Sequence, residues 1–244
     1  MSNMDQRMQT QLGIIQDLGY KLDPHSVILD LGCGNGDLVY EYRKKGYDAY
    51  GCDFVFKPGL HLDYLHGSGA IRKIDPNIYR LPFDDKSVDF VVSDQVFEHV
   101  KDYSTTLAEI KRVLKPGGFS LHFFPSRYRI IEAHVYIPYA SINQKYYWLL
   151  LWAILGVRKE SQKGLTARET ADKNYHYLIN NTSYLTKSEI KKYCKMYFSN
   201  VIFCEGIFFK YIRRAPFLFK LSKVIFFLPS IYSTMSSRVL FLSN

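Results

Sequence analysis

Apolar positions recur at helical spacing over residues 8–22, which predicts a leading amphipathic helix ending near Asp23-Pro24, because proline disfavours helix at the residue before it. The pattern then changes to short, nearly continuous apolar runs closed by turns. Residues 27–31 (VILDL) form the first such run, the signature of a central parallel strand. A helix over 37–45 follows, with Gly46 as its stop, then a strand over 48–52 ending at Asp53. After an irregular stretch, residues 71–74 and 87–93 predict two more strands. In the next helix Leu107, Ile110 and Leu114 share a face, and Lys115-Pro116-Gly117-Gly118 breaks it before a fifth strand over 119–124. Strands alternating with helices at this spacing predict an open α/β fold, with ligands bound beyond the carboxyl ends of the strands where strand order reverses.

Beyond residue 125 the pattern is different in kind. Residues 126–182 hold an apolar piece at 146–157 and a polar stretch, too long together for a simple strand-to-helix link. Thr186 and Glu189 then form a T-x-x-E capping box opening a helix to about Tyr197, followed by a strand over 200–204. Residues 206–235 are aromatic and basic, punctuated by Pro216 and Pro229, and 238–242 predicts a final strand.

Charge divides along the same boundary. The net +9 splits into −2 for residues 1–140 and +11 for 141–244, with no acidic residue after Glu205, and 12 of the 15 glycines lie in the first part. The basic residues are interrupted by apolar runs and no RNA-binding aromatic motif is present, which disfavours nucleic acid as a partner. The four cysteines are widely spaced, so neither a metal cluster nor a disulfide framework is expected, and a reducing cytoplasm fits best. The first residues lack the apolar stretch of a signal peptide, and no apolar run reaches the roughly 20 residues of a membrane-spanning helix.

The chemistry concentrates in Asp30-Leu31-Gly32-Cys33-Gly34-Asn35-Gly36, between a predicted strand and a predicted helix. Glycines there let backbone N–H groups and a helix N-terminus approach a ligand closely. The dinucleotide fingerprint G-x-G-x-x-G would need glycine at position 37, which is Asp37. An acid two residues before the first glycine is unhelpful beside a pyrophosphate and useful beside an ammonium group. Asp53 ends the second strand, where a carboxylate accepts hydrogen bonds from ribose hydroxyls. A ligand with a ribose and a cationic end but no phosphates is implied, a description that S-adenosylmethionine meets.

Residues 27–39 (VILDLGCGNGDLV), Cys52-Asp53, Leu81-Pro82-Phe83-Asp84, 88–100 (VDFVVSDQVFEHV) and 114–118 (LKPGG) resemble, in order, the motifs of class I S-adenosylmethionine-dependent methyltransferases. They are most similar to the type 11 branch with an L-P-F block and an E-H pair. The resemblance implies a Rossmann-like, doubly wound, mostly parallel seven-stranded sheet with helical insertions. Together with the pattern of elements after residue 125, it divides the chain into an S-adenosylmethionine-binding core (1–125), an insertion over the acceptor site (126–182), a return to the core (183–205), a basic apolar helical insertion (206–236) and a final strand (237–244). Asp30, Leu31, Gly32, Cys33, Gly34 and Gly36 would form the loop on the methionine side, and Asp53 would hold the ribose with Phe54 beside it. Ser93, Asp94 and Gln95 would line the methionine moiety. Asn77, four residues before Leu81, takes the place where relatives often have an aspartate for the adenine amino group, with Ile78 against the ring; an amide oxygen can still accept that hydrogen bond. Cys33 and Cys52 read as small apolar fillers.

Methyl transfer to a hydroxyl requires a proton acceptor within reach. Glu132 and His134, just after the fifth strand, are the first candidates for acceptor binding or base, and His99 the third. Glu98 and His99 read equally as lining the site or as cap and packing for the adjacent helix. His122, mid-strand, reads as a core histidine, and His176 as a residue that covers the site. The expected acceptor is a hydroxyl of a glycan, a lipid-linked or another small molecule; methylation of a prenylated quinone-like ring is the alternative, with a non-catalytic binding protein behind it. Residues 216–228, apolar except for Lys220, Ser222 and Lys223, read either as a lid helix or as a helix lying on an anionic membrane surface, at the inner face of a membrane in the cytoplasm.

Overall fold

The structure, a computed structural model, describes residues 3–212 and 216–244; Arg213 and Arg214, two of the basic residues counted above, lie outside the described residues. Seven strands form a single sheet: β1 (Val27–Leu31), β2 (Asp48–Asp53), β3 (Ile71–Lys73), β4 (Val88–Asp94), β5 (Leu114–Pro125), β6 (Asn200–Phe203) and β7 (Ser237–Ser243). Their order is β3-β2-β1-β4-β5-β7-β6, with β1 to β5 parallel and β7 antiparallel to both β5 and β6. Strand order therefore reverses between β1 and β4, as the alternating pattern implies, and a crevice opens at their carboxyl ends.

Alternation along the strands distributes side chains to two buried faces. Leu29, Leu31 and Val91 pack with α4 (Tyr103–Val113) and α7 (Lys187–Cys194). Ile28, Phe90 and Val92 pack on the other side with α1 (Asn3–Asp17) and α2 (Asp37–Lys44), and Leu65 of α3 (Leu62–Gly67) joins them there. The insertion has a cluster of its own, in which Leu149 and Ala153 of α5 (Tyr146–Ile154) meet Ala171 and Leu178 of α6 (Ala167–Asn181) above Val135 and Ile137. It is a small separately packed unit.

Several elements depart from the sequence pattern. Helix α1 stops at Asp17, short of Pro24, because Gly19 takes φ +86° and Tyr20 N–H closes back on the Ile15 carbonyl at 2.9 Å. Leu114 leaves α4 and begins β5. The polar stretch contains α6, opened by a capping box between Thr166 and Glu169 of the same T-x-x-E form as the one at Thr186 and Glu189. The segment 216–228 is not one helix: α9 (Pro216–Ser222) and α10 (Leu228–Met235) are separate, and α8 (Glu205–Lys210) precedes them. No helix among the described residues is long and apolar enough to cross a membrane.

Arg238 of β7 fixes this helical segment to the sheet. Its guanidinium donates to Glu205 Oε1 of α8 at 3.1 Å and to the Ser233 and Thr234 hydroxyls of α10 at 3.3 Å each. Arg238 and Glu205 are both buried; removing Glu205 strands the guanidinium charge, and removing Arg238 leaves Glu205 only the half-exposed Lys187 at 3.3 Å. Arg238→Ala is expected to lower the urea unfolding free energy by about 3 kcal/mol; an unchanged midpoint and slope would show the pair to be dispensable.

Candidate functional site

The glycine loop closes the crevice from one side. Gly32, Gly34 and Gly36 all have positive φ, at 77°, 56° and 77°. At Gly32 this is combined with close approach, since a Cβ there would sit 2.3 Å from Val96 Cγ2. Gly32 N–H donates to the Cys52 carbonyl at 2.8 Å, and Gly34 N–H donates to Asp53 Oδ2 at 2.8 Å, so loop and second strand hold one another. Gln95, just past β4, is held at φ +60° with its N–H on the Phe123 carbonyl at 2.8 Å, backbone strain of the kind found at ligand sites.

Between these elements lies a cavity of about 640 Å³, within the range of sites for small molecules and cofactors. Leu31, Gly32, Asp53, Phe54, Asp94, Gln95 and His99 line it, together with Lys57, Ile74, Tyr79, Val96 and Thr106. Phe54 and Tyr79 place their ring centroids 5.7 Å apart and wall one end. At the opposite end the carboxylates converge. Burial, reinforced by the charges of Asp94 and Asp53 and opposed by Arg7, pushes the Asp30 carboxyl up to about 8. Asp94 is also raised by burial, and Arg7 of α1 offsets part of this through an ion pair of 2.9 Å. A site that crowds acids at one pole and aromatic rings at the other fits a ligand with a cationic tail and a planar base.

Beside His99 stands a second polar group. His99 Nδ1 lies 2.6 Å from the Asn181 carbonyl, which can only accept, so Nδ1 carries the proton. Burial holds its pKa below the usual histidine value. The His134 ring is 4.9 Å from it, centroid to centroid, and His134 Nδ1 is 2.7 Å from Glu132 Oε1. Glu132 is fully buried and engaged on both oxygens: Oε1 also accepts from Tyr184 at 2.5 Å, and Oε2 from the N–H groups of His134 and Val135, each at 2.7 Å. Burial acts to raise its pKa, but the hydrogen bonds from His134 and Tyr184 outweigh it and the net shift is downward. Glu98 is also buried, yet neither carboxylate oxygen has a partner among the described residues, and burial above all pushes it up to about 8.

Comparison with known proteins fits this geometry. Residues 29–122 match the type 11 family model described as a methyltransferase domain. Similar chains include demethylmenaquinone methyltransferase of Geobacillus kaustophilus, 36% identical over 100 residues covering 38% of this chain and 42% of that one. Another is 2-phytyl-1,4-naphtoquinone methyltransferase of Nostoc punctiforme, 35% identical over 100 residues, or 37% and 42% of the two chains. The matched stretch thus spans under half the length of these relatives. Among solved structures, phosphoethanolamine N-methyltransferase 2 of Haemonchus contortus in complex with S-adenosyl-L-methionine shares the fold, with a TM-score of 0.54 at 16% identity over 99% of this chain and 52% of that one. Residues 29–122 are thus similar to a class I, type 11 methyltransferase domain.

The residues singled out from the sequence fall into distinct positions. Leu31, Gly32, Asp53, Phe54, Asp94 and Gln95 face the cavity, whereas Asp30, Cys33, Gly34 and Gly36 stand behind them in the loop. Ser93 turns away: it is buried and its hydroxyl meets His122 Nδ1 at 2.8 Å, so the pair is core. Asn77 and Ile78 lie outside the cavity lining, because the Asn77 amide folds back on Asp75 Oδ1 at 3.1 Å and Ile78 is exposed; Ile74 and Tyr79 occupy that wall. Of the three candidate bases only His99 lines the cavity. Glu132 is a structural anchor, and His134 stands behind His99 in contact with Tyr177, 5.4 Å between centroids. His176, one residue earlier on α6, is exposed.

Sequence reasoning missed Tyr79, Tyr184, Arg7 and Lys101. Lys101 donates to the carbonyls of Ile179 at 2.9 Å and Thr182 at 2.8 Å, binding the end of α6 to the rim of the cavity. Only the position of Tyr79, two residues before Leu81, left any trace in the motif pattern. Asp30 provides a direct check on the electrostatics. Unfolded, it ionises near 3.8, whereas folded it keeps its proton to about 8, so its contribution to stability falls as pH rises between those values. Ligand-free Asp30→Asn is therefore expected to melt close to the parent at pH 4 and several degrees above it at pH 8.5; a lower melting temperature for the variant at pH 8.5 would contradict the assignment.

Proposed function

We propose that the chain transfers the methyl group of S-adenosylmethionine to a small-molecule acceptor held between the cavity and the 126–182 insertion. The observation that carries this reading is one cavity with acids at one pole, Asp53 at its middle and the Phe54–Tyr79 wall at the other. Asp53, fixed to the glycine loop, is set to accept from ribose hydroxyls, Tyr79 and Ile74 to flank a base, and Asp94 to face an ammonium group, with Asp30 behind it in the loop. Bound there, S-adenosylmethionine supplies a methyl group on a sulfonium, and much of the acceleration comes from orienting the acceptor in line.

The acceptor end is the His99 end. Its Nε2 lone pair is presented where a hydroxyl would need a proton removed, which supports oxygen methylation of a glycan, lipid-linked or other small hydroxyl compound. A second reading, methylation of a prenylated quinone-like ring, is favoured by the names of the two quinone methyltransferases above. The exposed apolar residues Phe217, Val224, Phe226 and Phe227, interleaved with Lys220 and Lys223, support a contact between this segment and an anionic membrane surface where such acceptors reside.

Calorimetry with S-adenosylmethionine tests the cofactor reading. Binding by the parent is expected, weakened at least tenfold in Asp53→Ala, since lost charge-assisted hydrogen bonds cost about 1.5–3 kcal/mol; absence of binding by the parent, or equal affinity in the variant, contradicts it. For the membrane contact, the protein is expected to float with phosphatidylglycerol vesicles at low salt and Phe226→Ser/Phe227→Ser to remain below. Flotation of both proteins alike, or of neither, overturns it.

A further inference from the structure

Glu98, His99 and His134 remain without a complete account. One ligand atom from each lies within 4.8 Å of the other two, although His134 comes from the far side of β5. Both imidazoles are held in one tautomer from behind. His99 Nδ1–H donates to the Asn181 carbonyl, and His134 Nδ1–H donates to Glu132, a carboxylate fixed by Tyr184 and two backbone N–H groups. Each ring is left with a free lone pair on Nε2. This is how metal-binding imidazoles are oriented, by a carbonyl or carboxylate behind the ring that fixes the tautomer and raises its basicity. The third member is Glu98, 2% exposed, with both carboxylate oxygens buried and without a hydrogen-bond partner among the described residues. A carboxyl in that condition calls for a cation before it can ionise.

We propose that Glu98, His99 and His134 bind one divalent first-row transition-metal ion. Two imidazoles and one carboxylate suit Zn²⁺, Mn²⁺ or Fe²⁺ better than Mg²⁺ or Ca²⁺, which prefer oxygen throughout. Three protein ligands leave positions open, as in metal sites that bind an outside ligand. His99 also lines the large cavity, so the open positions face it. Glu132 and Tyr184 are positioning residues that act through His134. Resting on the methyltransferase reading above, the open position would take an oxygen of the acceptor and favour its ionised form, the proton passing to water; the O–CH3 bond would form as the S–CH3 bond of S-adenosylmethionine breaks, releasing S-adenosylhomocysteine, and His99 serves as ligand in place of base. Spacing along the chain predicts no metal, because the cysteines and histidines are not clustered there, whereas this set is assembled by the fold.

The test is calorimetric titration of chelator-stripped, folded protein with Mn²⁺ alone, with Co²⁺ absorption in the visible as a second readout. One equivalent is expected to bind. His99→Ala, His134→Ala and Glu98→Gln are each expected to lose at least tenfold in affinity, and Glu132→Gln 10–100-fold while every ligand remains. His176→Ala, exposed on α6, should match the parent. Circular dichroism confirms the fold of each variant, and Glu98→Gln is expected to fold because it removes a buried charge. No stoichiometric binding by the folded parent, or parent-like binding in the folded His99→Ala and His134→Ala variants, overturns the proposal. S-adenosylmethionine titrated into the stripped protein separates the two readings: cofactor binding without metal binding sinks this site alone, and metal binding without cofactor binding sinks the transferase reading and keeps the site.

Discussion

The site depends on how closely two strand ends approach. Gly32, past the end of β1, packs against Val96, past the end of β4, and any Cβ at position 32 would sit within 2.3 Å of Val96 Cγ2. That contact is available only because strand order reverses between β1 and β4, which leaves no crossover above the crevice. The same constraint operates one layer down. A Cβ at Gly51 would lie 2.7 Å from Cys33 Cβ, so the second strand must carry glycine for the loop to lie flat and for Asp53 to reach the Gly34 N–H. Cavity, carboxylate and loop are consequences of one packing requirement.

The insertion answers a different problem. It carries its own apolar cluster and meets the domain through a few polar contacts: Lys101 on the end of α6, His99 on the Asn181 carbonyl, and Arg127 on the Tyr184 carbonyl at 2.9 Å. Glu132 organises the floor between them by accepting four hydrogen bonds, which makes a buried charge tolerable. The His99 end of the cavity is thus joined to the insertion by polar contacts, while the glycine-loop end belongs to the sheet.

This division explains what could be read from the chain. Strands such as Val27–Leu31 and Val88–Asp94 were legible because a buried parallel strand is a continuous apolar run, and the glycine loop because positive φ restricts the residue type. Helix α6 carried a clear T-x-x-E signal at Thr166 that the surrounding polar residues masked. The split of α9 from α10 had no such marker, since Lys223 to Phe227 continues an apolar pattern that helix and turn share. Asn77 was misplaced by counting from Leu81: the side chain prefers a local bond to Asp75, and spacing cannot register that competition. Nor could spacing bring His134 to His99, because their meeting depends on β5 and the turn after it.

The central claim is that the cofactor occupies the crevice built on Gly32. Hydrogen exchange with and without S-adenosylhomocysteine reads this directly, amide by amide. The structure predicts slowed exchange confined to residues 30–36, 53–57 and 94–106, with 216–235 unchanged. Protection absent from the 30–36 loop, or appearing only in the insertions, would contradict it.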